Sequence, residues 1–414
     1  TSQIVNMLYN LVDRVYIGHM QPVETVGKLA LTGVGVTFPI LTLISAFSAF
    51  AGMGGAPLAS IRLGAGDRKG AEAILGSAVS MLVTMALVLT VGFSVFQRPL
   101  LLAFGASADT IGYATDYLTI YLLGTIFVQL SLGLNTFISA QGKAVPAMCS
   151  VLIGAVLNIL LDPLFVLPQF LGLGAVGAGM ATALSNGAAV ACFAVYLVRR
   201  RGATYLNLLP ANLRYAAQYL RPILAIGFPS ALQYALTVVA TAAQADFVSQ
   251  YPTEAVAALG IVKKLDQLPL YFSIGVSNGL LPLLAYNHAA GNHHRRAQAF
   301  RIGSLMSFGF AVLCLVCYEA FATPLVSLFI ADAATVRYGA VFLRCMVTAM
   351  PMMALCYPMI IQFQAMGRAR ESLVCSILRK GVLDIPLLYL IDALFPLYGC
   401  MWVQPIVDAI SLAA

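Results

Sequence analysis

Asp13, in LYNLVDRVYIG, and Asp162, in NILLDPLF, are carboxylates set in otherwise apolar runs, and Asn158 precedes Asp162 by four residues. On a helix that spacing stacks the amide over the acid on one face. Pro163 follows directly, removes a backbone donor and disfavours helical geometry at Asp162, loosening the local ladder. Two carboxylates, an amide and nearby hydroxyls make a hard-oxygen cage. Such a cage holds a small cation such as Na⁺ at Asp13, Asn158 and Asp162, or shares protons, because neighbouring like charges raise one pKa. Tyr117 and Asn135 on the fourth apolar run and Thr182 on the sixth are candidates to complete it. The bland alternatives are an interhelical hydrogen bond for Asp162 that merely ties a bundle, and a pairing of Asp13 with Arg14. The second is awkward, because adjacent positions point in different directions on a helix.

These acids need elements able to hold them in lipid. The chain has 414 residues, 60% hydrophobic and 9% charged, with a mean hydropathy of +0.90. A soluble domain carries about 25% charged residues, so the solvent around this chain is mostly bilayer. Breaks rich in charge, Gly or Pro divide it into twelve apolar runs: 1–19, 30–60, 72–97, 111–139, 147–168, 175–198, 221–249, 255–287, 301–323, 335–363, 373–395 and 399–414. The chain opens on Thr-Ser-Gln with one run under way and closes on DAISLAA inside another, so the first and last runs read as truncated.

Charge placement orients the runs. Breaks after even-numbered runs hold Arg62, Arg68 and Lys69; Lys143; Arg199, Arg200, Arg201, Arg214 and Arg221; Arg295, Arg296 and Arg301; and Arg368, Arg370, Arg379 and Lys380. That is 16 of the 23 basic residues. The bias predicts a multi-pass protein of the inner (plasma) membrane with both termini cytoplasmic. The net charge of +7 is thereby assigned to topology, and no nucleic-acid partner is expected.

A repeat accompanies this pattern. At a shift of 225, Gly54 meets Gly279, Pro57 meets Pro282, Ala65 meets Ala290 and Gly66 meets Gly291; AQGKA (140–144) meets AMGRA (365–369). The expected architecture is an all-α membrane protein of twelve transmembrane helices. Two six-helix bundles, 1–198 and 221–414, flank a cytoplasmic linker at 199–220 and are related by a pseudo-two-fold axis along the membrane normal. The shift places Leu387 opposite Asp162, so the acidic pair belongs to the first half alone.

In the second half, Asp384 is a polar outlier expected to pair with Arg379 or Lys380 or to meet substrate. The Met-rich AMPMMALCYPM, with Met353 and Tyr357, offers soft surface for a lipophilic pocket or for plain packing. Cys314-x-x-Cys317 has no partner thiols or His nearby, and His288, His293 and His294 read as a solvated basic loop. No nucleophile–base pair, phosphate loop or metal-spaced cluster appears, so an enzyme is not expected and no cofactor beyond a coupling ion is required.

NLVDRVYIGHM, GAGDRKGA, NILLDPLF and LYGCMWVQPIVD together resemble the multidrug and toxic compound extrusion (MATE) transporters, nearest to their prokaryotic DinF-like branch. The resemblance implies a secondary antiporter working by alternating access, which expels cationic or lipophilic organic compounds as Na⁺ or H⁺ enters; a monomer is expected. It implies an ion site at Asp13, Asn158 and Asp162, with Tyr117 and Thr182 matching further family positions. SNGLLPLLAYN departs from the family by a missing Gln. The alternative is a flippase for lipid-linked saccharides or other amphiphiles, which would line its cavity with Arg and Lys to hold phosphates.

Overall fold

The computed structural model describes residues 24–167, 169–199, 218–330 and 332–413, all of them helical or connecting, with no strand among them. Asp13 and nearly all of the expected linker lie outside the described residues. The chain divides into two compact units, Thr1–Ala231 and Leu232–Ala414, each described separately below.

Unit 1 contains α1 (Glu24–Gly64), α2 (Arg68–Ala103), α3 (Ile111–Leu123), α4 (Thr125–Ala140), α5 (Ala144–Val166), α6 (Gly174–Arg199) and the first turns of α7 (Leu220–Ser249). Unit 2 contains the rest of α7, then α8 (Thr253–Ala289), α9 (His293–Ser327), α10 (Ala333–Val347), α11 (Met350–Ala365) and α12 (Ala369–Ile377). A π-turn (Leu378–Val382), α13 (Asp384–Leu394) and α14 (Gly399–Ala413) complete it. Every expected apolar run from residue 30 onward falls on one of these helices or on a broken pair of them. By length and composition seven described helices can cross a membrane, and the bent pairs α3–α4 and α10–α11 bring the number to nine.

The breaks have identifiable causes. Pro351 cannot donate to the carbonyl of Val347, where α10 ends, and α11 departs at 43°. Pro386 likewise cannot serve Val382, and the helix interrupted by the π-turn restarts only at Asp384. Between α3 and α4 the bend is 57° at Gly124, which lies against Ala183 of α6 so closely that a Cβ there would clash with it.

The repeat read from glycines extends to helix boundaries. Adding 225 to the limits of α2 gives 293–328, against His293–Ser327 for α9; adding it to α4 gives 350–365, the limits of α11. Even the backbone conformations repeat. Gly66 and Gly291 both have positive φ, as do Gly142 and Gly367. Leu397, with φ of 67° the only described non-glycine in that region, stands where the shift places Gly172, whose φ is 61°. The bend before the last helix is therefore imposed by the fold and tolerated by a leucine that the local sequence would not choose.

Within each unit the polar groups turn inward and the outer faces are apolar. On α2, Leu87, Val88, Val91 and Val95 are exposed, while Ile74, Leu75, Ala78 and Leu82 are buried. Small residues set the closest approaches: a Cβ on Gly54 would overlap the Ile223 carbonyl, and one on Gly227 would overlap the backbone of Phe50. The α1–α7 crossing in unit 1 thus depends on two glycines, as membrane helix packing commonly does. Gly227→Leu is expected to force this crossing apart at a cost of about 1–3 kcal/mol. A lower unfolding midpoint in detergent, compared with Gly279→Leu where a Cβ meets open space, measures it.

Candidate functional site

In unit 1 the site is carried by α5 and α6. Asn158 is 1% exposed and Asp162 0%, and the Asn158 amide donates to Asp162 Oδ1 at 3.4 Å, one turn along α5. The Asn158 carbonyl oxygen finds no partner among the described residues, which leaves an acceptor aimed into the interior. Pro163 sits inside α5 without ending it, and has no N–H to give the carbonyl of Ile159.

Two close approaches fix the antiparallel register of α5 and α6: Gly154 faces Ser185 and Ala189, and Gly177 faces Phe165. Thr182 therefore falls level with residue 160, between Asn158 and Asp162. Its hydroxyl donates to the Ala178 carbonyl at 3.0 Å, which leaves its lone pairs available. Gly179 in turn lies against the Tyr117 carbonyl and Ile120, bringing Tyr117 of α3 to the level of Asp162. Tyr117 is buried and stacks on Tyr121 with ring centroids 6.1 Å apart. So Tyr117, Asn158, Asp162 and Thr182 share one layer.

Asn135 does not belong to that layer. Its amide donates to the Ala147 carbonyl at 2.9 Å, eleven residues before Asn158 on α5 and so about 16 Å along the helix axis. It ties the corner between α4 and α5. The sequence placed it on the right run but could not tell which end of that run it occupied.

Unit 2 has a polar centre of its own, built mostly from residues that sequence reasoning set aside. Arg379, 1% exposed, donates from Nε to Asp408 Oδ1 at 2.6 Å, and its guanidinium lies 4.6 Å from the Tyr357 ring centroid. Gln404 donates to Asp408 Oδ2 at 2.8 Å and accepts from Lys380 Nζ at 2.7 Å; Lys380 in turn lies 3.4 Å from Asp384. A continuous chain results: Arg379, Asp408, Gln404, Lys380, Asp384.

One expectation changes here. Arg379 and Lys380 are not loop charges of the cytoplasmic face. They lie eleven and twelve residues past Arg368 in a helical run, about 16–18 Å inside it, and are neutralised there. Asp384 pairs with Lys380, one of its two expected partners, and lines a small part-open cleft of about 30 Å³. Met353 is buried, Tyr357 carries Arg379, and neither lines that cleft. Cys314 and Cys317 are free thiols, and no group of three metal-binding side chains occurs among the described residues.

The MatE family model matches residues 1–164 and 229–390. The chain belongs to the MATE family. Multidrug export protein MepA of Staphylococcus haemolyticus (strain JCSC1435) is 27% identical over 401 residues, covering 97% of this chain and 86% of that protein. The MepA of Staphylococcus aureus (strain MRSA252) is 26% identical over 412 residues, covering 99% of this chain and 89% of its own length. Among solved structures, the outward-facing conformation of a multidrug resistance MATE family transporter superposes with a TM-score of 0.90 at 22% identity, covering 100% of this chain and 90% of that one. A MATE in the bent conformation gives 0.89 at 22%, with the same coverage.

As a MATE family member the protein is a multi-pass membrane transporter and not an enzyme. The residues missed from sequence left one signal. Gln404 and Asp408 repeat, on α14, the spacing of an amide four residues before a carboxylate that singled out Asn158 and Asp162 on α5. Breaking the Arg379–Asp408 pair from one side strands a buried charge. Arg379→Met alone should cost about 3–5 kcal/mol, and combining it with Asp408→Leu should recover most of that loss. A double-mutant cycle of thermal unfolding in detergent reads the coupling.

Proposed function

We propose that the protein is a secondary antiporter that exports small cationic or lipophilic organic compounds while Na⁺ or H⁺ moves inward. The observation that carries this reading is the fully buried Asn158–Asp162 pair, held level with Tyr117 and Thr182 in a membrane-spanning bundle. The names of the staphylococcal relatives, multidrug export proteins, point to the same class of cargo.

A carboxylate at this depth is costly when charged, by roughly 2.5–3.5 kcal/mol on insertion scales. A proton neutralises it directly. A sodium ion does so by drawing on hard oxygens, for which the Asp162 carboxylate, the Asn158 carbonyl and the Thr182 hydroxyl are the described candidates, with Asp13 as a further one. Either ion changes the free energy of the conformations that bury the site by different amounts. That difference is what can bias one conformation over another and couple ion entry to export. The excess of Lys and Arg in alternate breaks favours an inner-membrane protein with cytoplasmic termini.

The flippase reading draws on one observation, the inward placement of Arg379, Lys380 and Lys263 in unit 2. Arg379 is neutralised by Asp408 and Lys380 is paired with Asp384. Lys263 has the Asp266 carboxylate close by on α8. With each of these cations matched by an acid, none is left to hold a lipid-linked diphosphate, and the export reading is preferred.

Asp162→Asn keeps the shape and the hydrogen bonds but cannot lose or gain the charge. In proteoliposomes with separately imposed Na⁺ and pH gradients, this variant should fall to the leak rate. Asn158→Ala should lose about tenfold if Na⁺ is the coupling ion and much less if H⁺ is. Gradient-driven efflux by Asp162→Asn at the wild-type rate would remove Asp162 from the mechanism.

A further inference from the structure

The two units treat their basic corners differently. In unit 1 the corner between α1 and α2 carries its own acids: Arg62 lies 3.4 Å from Asp67, and Arg68 lies 3.5 Å from Glu72. The shift of 225 puts Asn292 and Ala297 in the places of those acids in unit 2. It also sets Arg295, Arg296, Arg301 and Arg370 in the places of Gly70, Ala71, Gly76 and Val145. The segments 287–301 and 362–376 therefore hold five arginines against one acid, Glu371, whose carboxylate lies 3.9 Å from Arg368. The other four arginines form no ion pair among the described residues.

These two segments meet in space. Arg296 Nη1 donates to His288 Nδ1 at 2.9 Å and reaches Met366 Sδ, just past the end of α11, at 3.5 Å. Arg368 and His293 bring further positive charge to the same imidazole. Like charges gathered in this way repel one another unless an anion joins them. The corner also borders apolar surface. Arg295, Arg301 and Arg370 are exposed, and so are Ile302, Leu305 and Met306 directly beyond Arg301 on α9. On α12, Val374 is exposed one turn beyond Arg370.

We propose that this corner of unit 2 binds an anionic phospholipid, its phosphates held by Arg295, Arg301 and Arg370 and its acyl chains lying along α9 and α12. A lipid of this kind answers both halves of the surface. A soluble anion would meet the arginines and leave the aliphatic residues uncovered, and a zwitterionic lipid would bring no net charge. Guanidinium groups bind phosphate oxygens two at a time, which suits arginine better than lysine to the task. Four unmatched arginines favour a headgroup with two phosphodiesters, as in cardiolipin, over a single one. The charge bias assigns this corner to the cytoplasmic leaflet, where basic pockets between membrane helices hold such headgroups.

The inference is independent of what the protein exports. Cardiolipin is titrated onto the delipidated full chain in detergent and its occupancy is followed by native mass spectrometry, with phosphatidylethanolamine as comparison. The wild type should bind cardiolipin at least about tenfold more tightly than phosphatidylethanolamine. Replacing Arg295, Arg301 and Arg370 together by Gln should weaken cardiolipin by about tenfold or more. Replacing Arg62, Lys69 and Lys143 of unit 1 by Gln removes the same charge and should leave binding within about threefold of the wild type. Equal binding of the two lipids by the wild type overturns the proposal and needs no variant to fold. An equal loss in both triple variants also overturns it, because the attraction would then belong to overall charge and not to this corner. Inorganic phosphate should displace no more cardiolipin than sodium chloride does at equal ionic strength. Greater displacement by phosphate would make the corner a site for free anions and overturn the lipid assignment.

Discussion

A charge inside the bilayer must be compensated within the protein, and that constraint organises both units. No water is at hand to solvate an ion or an open backbone group, so helices satisfy their own ladders and polar side chains turn toward one another. Asn158 and Asp162 meet on α5 at full burial, and Arg379 meets Asp408 with 1% and 0% exposure. The faces left to lipid, such as Leu87, Val88 and Val91 on α2, are aliphatic. The apolar exterior follows from the medium, and the polar interior records what the molecule has to hold.

The scaffold that does the holding is one design used twice. Helix limits, two pairs of left-handed glycines and a bend in the fourth and tenth spans recur at one shift. Against that constancy the polar residues diverge. The shift sets Leu383, Leu387 and Val407 opposite Asn158, Asp162 and Thr182, and sets Gly154 and Ala183 opposite Arg379 and Asp408. A residue needed only to fold a six-helix unit would be expected in both copies. Those present in one copy are better explained by what that copy binds.

Much of this was legible from the chain alone, for physical reasons. Bilayer thickness fixes helix length, so runs such as 72–97 and 301–323 fall inside α2 and α9. The i, i+4 spacing of Asn158 and Asp162 needs only helical periodicity to place both on one face. The unit 2 centre was not legible in the same way. Arg379 and Lys380 follow Arg368 and Arg370 closely enough to read as one basic loop, and only the course of α12 carries the second pair inside. Asn135 failed for the related reason that position along a span is invisible until the register of its neighbours is known.

The two polar centres also share a local device. Asn158 and Asp162 precede Pro163, while Lys380 and Asp384 lie across a π-turn just before Pro386. A proline removes one donor from the ladder and a π-turn widens it, so each leaves backbone carbonyls less firmly engaged beside the charged groups. In a regular helix those carbonyls would be consumed by the ladder. A solute that must be bound and then released gains by finding oxygens that are near at hand and weakly held. Such helices can also change their bend at the interrupted turn without unravelling, because the bonds that would resist are already missing. The places where the ladder is weakest are therefore the places where binding and movement can be linked, and in each unit the charges stand beside them.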